Sequence, residues 1–60
     1  MRSVFIQYQE SGRPWQTAST LSEDASGGNR IINEMKSVQN GRPNARIRTV
    51  DEDGRILDIL

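Results

Sequence analysis

Apolar and polar positions alternate from residue 3 to residue 9. Val4, Ile6 and Tyr8 fall on one side, and Ser3, Gln7 and Gln9 on the other. This two-residue period is that of a strand with one buried face. Phe5 breaks the pattern by pointing outward. Glu10-Ser11-Gly12-Arg13-Pro14 is turn chemistry. Trp15 to Leu21 then reads as a second strand, weakly apolar, with Thr17 and Thr20 favouring extended backbone. A loop from Glu10 to Arg13 sets Tyr8 opposite Trp15 and Ile6 opposite Thr17, so an aromatic pair is expected to close the hairpin.

The period then changes. Ser22 followed by Glu23 and Asp24 reads as a helix start, a hydroxyl cap with acids at the positive end of the dipole. At helical spacing Ala25, Gly28, Ile31, Ile32, Met35 and Val38 share one arc, while Arg30, Asn33, Lys36 and Ser37 lie opposite. The expected stop is Asn40-Gly41 in a left-handed turn, with Pro43 close behind. Gly27-Gly28 is the local flaw, because each glycine costs about 0.8–1 kcal/mol against alanine inside a helix. Either the helix begins near Asn29, or Gly28 lies on the buried face and permits a close approach to the sheet. The second reading is preferred because Ala25 and Gly28 continue the apolar arc.

Alternation returns from Asn44 to Val50, with Ala45, Ile47 and Thr49 against Arg46, Arg48 and Val50. Asp51-Glu52-Asp53-Gly54 is a hairpin loop whose glycine suits a left-handed position. Arg55 to Leu60 forms the last strand. With Asp51 opposite Arg55, Thr49 meets Leu57, Ile47 meets Ile59, and Arg48 forms a cross-strand pair with Asp58. The whole is an α+β domain spanning residues 1–60: a four-stranded antiparallel sheet in the order β-β-α-β-β along the chain, with one helix packed on one face.

The composition narrows the function. Sixty residues make at most one small domain, near the lower limit for folding unaided. There is no cysteine and no histidine, so neither a disulfide nor a structural zinc can staple it. Pairing with a second copy or another protein is a natural supplement. Eight basic and eight acidic side chains cancel, whereas a chain that grips phosphate backbones is usually basic. The first residues are too polar for a signal peptide, and no apolar run reaches membrane-spanning length, so a cytoplasmic protein is expected.

Trp15, the helix ending at Asn40, and the run Ala45-Arg46-Ile47-Arg48-Thr49-Val50-Asp51-Glu52-Asp53-Gly54-Arg55-Ile56 resemble a loose group of short bacterial and phage domains of unknown function. Those domains join a tryptophan-bearing hairpin, an amphipathic helix, and two strands linked through a DG turn. Their helices are usually alanine-rich, and Gly27-Gly28 departs from that. The resemblance implies the same layout and carries no activity.

Catalysis is not expected. Acid–base or nucleophilic chemistry needs a group tunable to the working pH, and no base is marked for any serine. Asp51, Glu52 and Asp53 lack the alternation and distant glutamate of a calcium loop. Ser26-Gly27-Gly28-Asn29 lacks the lysine of a phosphate loop and reads better as packing or an ordinary loop. Neither cofactor, metal nor small-molecule substrate is expected.

The face away from the helix is the place to look. Phe5, Arg46, Arg48, Val50 and Ile56 are expected there, an apolar and cationic surface suited to a protein partner or to a second copy of the chain. The alternative is a small nucleic-acid-binding domain that uses Arg42, Arg46 and Arg48. Trp15 is read first as a core anchor and second as a binding residue.

Overall fold

The computed structural model describes residues 3–22 and 28–60. Strand β1 (Ser3–Gln9) and strand β2 (Gln16–Ser22) precede helix α1 (Gly28–Gly41), and strands β3 (Arg46–Asp51) and β4 (Ile56–Ile59) follow it. The four strands form one antiparallel sheet in the spatial order β2-β1-β3-β4. The first and third strands are therefore central. Strand β2 runs parallel to β3 with β1 between them, so the connection through α1 crosses the sheet from edge to centre.

The core lies between α1 and the sheet. Ile6, Met35 and Ile47 are fully buried, with Tyr8, Leu21, Ile31, Ile32, Val38 and Ala45 packed around them. Val4 is buried as well. The described part of the expected helical arc, from Ile31 to Val38, is thus the part that packs. Burying such side chains contributes roughly 1.5–3 kcal/mol each, and a domain this small needs every one. Helix α1 packs on β3, β1 and β2 but does not reach β4.

Both hairpin turns form as the residues require. Arg13 donates its N–H to the Glu10 carbonyl at 3.0 Å, and Gly12 takes a φ of 75°. Gly54 takes a φ of 83° and donates to the Asp51 carbonyl at 3.1 Å. The Asp51 carboxylate accepts the N–H groups of Asp53 and Arg55, both at 2.9 Å, and the Glu52 carboxylate accepts that of Ser3 at 2.6 Å. The acidic turn is built into the backbone's hydrogen bonding.

Other expectations need correction. Ser22, expected to cap the helix, ends β2 opposite Ser3. Gly28 is helical. The proposed start at Glu23-Asp24, Ala25 in the arc, and Ser26-Gly27 of the suggested anion cradle lie outside the described residues. Gly41 remains helical and does not turn left-handed. Instead Arg42 shares its N–H between the carbonyls of Val38 and Gln39, each at 3.1 Å. Ala45 then donates to the Arg42 carbonyl at 3.0 Å, closing a turn with Pro43 at its second position.

Both hairpin registers also differ from expectation, and both edge strands carry an extra residue. In the first, Tyr8 stands opposite Gln16 and Ile6 opposite Ser19, leaving Ala18 as an extra residue on β2. In the second, Val50 stands opposite Ile56 and Thr49 opposite Asp58, leaving Leu57 as an extra residue on β4. Each is a β-bulge on an edge strand, where bulges concentrate. A slip of one position transfers a side chain to the other face. The expected Arg48–Asp58 pair is lost to the bulge at Leu57, and Arg48 faces Ile59. The expected Tyr8–Trp15 pair is lost before the bulge at Ala18 is reached, because the loop is one residue longer than expected and Tyr8 pairs with Gln16.

Candidate partner-binding surface

The two irregular edges decide what the uncovered face displays. On β2, the bulge at Ala18 lets Leu21 join the core, while the Tyr8–Gln16 pairing puts Trp15, one residue earlier, on the other side. On β4, the bulge at Leu57 leaves Ile56 and Ile59 on the same side as Val50 and Arg48, their partners on β3. Without it, strict alternation would send Ile59 toward the helix side. Among the described residues, the exposed large hydrophobic side chains are Ile56, Leu57, Ile59 and Leu60. All belong to β4 or directly follow it, beyond the reach of α1.

Arg48 is the organising residue. Its guanidinium carbon lies 4.0 Å from the centre of the Trp15 ring, close enough for a cation–π contact. Its Nε donates to the Gln7 side-chain oxygen at 2.8 Å, and the Gln7 amide nitrogen lies 3.5 Å from the Thr17 hydroxyl. One arginine on β3 is thus held by β1 and by the residue leading into β2. A side chain fixed in this way loses less freedom when it meets a ligand.

Trp15, Arg46, Arg48, Ile56, Ile59 and Leu60 line a groove of about 350 Å³. Its charged side chains are two arginines, and no acidic side chain lines it. Neither arginine forms an ion pair among the described residues; the ion pair seen there joins Arg42 to Glu10.

The residues expected to bind a partner are therefore brought together unequally. Arg46, Arg48 and Ile56 meet in the groove. Phe5 is not among the residues lining the groove; it is half-buried between Thr20 and Val50. Val50 is on the expected face but only 5% exposed, so it supports its neighbours and offers little surface of its own. Arg42 is elsewhere. It lies over the Tyr8 ring at 4.1 Å and bonds Glu10 at 3.3 Å, on the helix side of the sheet, and does not extend the cationic strip of Arg46 and Arg48.

Sequence reasoning missed Ile59 as a groove residue and ranked Trp15 first as a core anchor. The slip at Leu57 is invisible to alternation. For Trp15 no signal in the sequence separated the two readings, because Pro14 precedes either strand start and proline is tolerated on an edge strand.

The fold and face together define a two-layer α+β domain with an open sheet surface. Comparison with protein-family models, curated proteins and solved structures finds no match for this chain. Among the described residues, no helix is long and apolar enough to cross a membrane.

Proposed function

We propose that this protein is a non-enzymatic interaction module that binds a protein partner through the sheet face opposite its helix. The observation that carries this reading is the Trp15–Arg48 stack opening onto exposed Ile56 and Ile59. Tryptophan and arginine are the residue types most often found at the energetic centre of protein interfaces. Here they are already in place beside aliphatic side chains that the core does not use. A cytoplasmic setting suits the reading, since a cysteine-free chain depends on no oxidising compartment.

Selection of peptides from a random library against the immobilised protein, followed by NMR mapping of the winners, tests the reading. Selected peptides are expected to shift the Trp15 indole and the amides of Arg48 and Ile59, leaving Met35 and Val38 unmoved. Winners that map to the outer face of α1 would overturn it.

A further inference from the structure

Resting on that reading, we infer that the groove takes an acidic, aliphatic peptide segment, one or two apolar side chains flanked by carboxylates. The charge of the lining points there. Arg46 and Arg48 are the charged side chains of the groove, and neither forms an ion pair among the described residues. Arg48 is held through Nε by a neutral amide. Its two terminal nitrogens have no protein acceptor among the described residues, and a guanidinium fork matches a carboxylate. The opposite wall is aliphatic, with Ile56 and Ile59 more than half exposed, so an anion without apolar groups would leave that wall wet.

Other occupants fit less well. A second copy docked face to face about a twofold axis would bring a groove whose charged side chains are two arginines against its own image, and like charges so placed oppose association. Extension of the sheet at β4 meets another obstacle. The Ile59 N–H is already bonded to the Asp58 carboxylate at 3.0 Å, so it is not available to an added strand. Nucleic acid would have phosphates for two arginines but little use for three aliphatic side chains, and Arg42 is engaged on the other side of the sheet.

The test uses three capped nine-residue peptides that share the same leucines and isoleucines, spaced by glutamate and aspartate, by lysine, or by serine. Trp15 is the one tryptophan of the chain, so its fluorescence reports on the groove directly. The acidic peptide is expected to bind at least tenfold tighter than the serine peptide, to weaken as salt rises, and to shift the amides of Arg48 and Ile59. Arg46→Gln and Arg48→Gln should each cut its affinity severalfold or more. Equal or tighter binding of the lysine or serine peptide in the groove would overturn the inference while leaving the interaction-module reading in place. No groove response to any of the three would overturn the inference, leaving the library selection to decide the interaction-module reading by itself. An oligonucleotide that binds the groove more tightly than the acidic peptide would overturn both. Self-association that protects Ile59 in the absence of peptide would replace the inferred partner with a second copy.

Discussion

Arg48 on β3 lies across the face of Trp15, 4.0 Å from the ring centre, and so connects the third strand to the entrance of the second across β1. This contact closes one side of the groove and fixes the orientation of its better-held cation. It is also a small structural tie, because cation–π contacts at accessible sites contribute about 0.5–1 kcal/mol.

Trp15→Ala is therefore expected to lower stability by about 1–2 kcal/mol, combining the lost stack with lost apolar contact. Urea unfolding measures the cost. The Arg48 Nε signal should broaden or move in the NMR spectrum, and the Tyr8–Gln16 pairing should persist. An unchanged Arg48 signal would show that the stack does not position the arginine.

Thr49 offers a contrasting test inside the core. Its hydroxyl is completely buried and has no hydrogen-bond partner among the described residues. A buried polar group left unsatisfied costs about 1–3 kcal/mol. Thr49→Val keeps the branched shape and removes that group, so stabilisation of roughly 1 kcal/mol is expected. A loss of stability on thermal unfolding would mean that the hydroxyl does find a partner.

Two glycines should respond in opposite directions to the same substitution. An added Cβ at Gly41 or at Gly54 meets nothing within 4 Å, so only backbone conformation decides the outcome. Gly41 is helical, and Gly41→Ala should stabilise by about 0.5–1 kcal/mol. Gly54 has a φ of 83°, and Gly54→Ala should destabilise by about 1–2 kcal/mol. Calorimetry on the pair checks both signs.

Ile59 is 68% exposed and Met35 fully buried, which separates binding from folding. Ile59→Ser should change stability by less than about 0.5 kcal/mol yet abolish the fluorescence response of Trp15 to peptide. Met35→Ala should cost about 2–5 kcal/mol. An Ile59→Ser protein that unfolds as readily as Met35→Ala would reveal a core role for this residue.

Much of the layout was legible because burial imposes clear periods on β1, β3 and the helix. Val4, Ile6 and Tyr8, then Ile31 to Val38, then Ala45 and Ile47 all face the core as alternation and helical spacing imply. The turns were legible from Gly12, Pro43 and Gly54. The edges were not. An edge strand has one partner, so an extra residue at Ala18 or Leu57 costs a single ladder and leaves no mark in the sequence. The candidate surface suffered most, since one outer wall depends on Leu57 and the other on a first loop one residue longer than expected, which turns Trp15 outward. Arg46 and Arg48, carried by the regular strand β3, stand on the face that alternation implies. Strand order was equally hidden, because neither hairpin says which of its strands will meet the other hairpin.

That order has a kinetic consequence. The seam between β1 and β3 joins residues far apart in the chain, from Gln9 with Arg46 to Val4 with Asp51. A lone two-stranded hairpin is marginal in water, so the leading half of the chain gains little until the third strand arrives beside it. Closing so long a loop is the slow, entropy-limited event in assembling a molecule of this kind, and substitutions along the seam, more than those at either turn, should set how fast it folds.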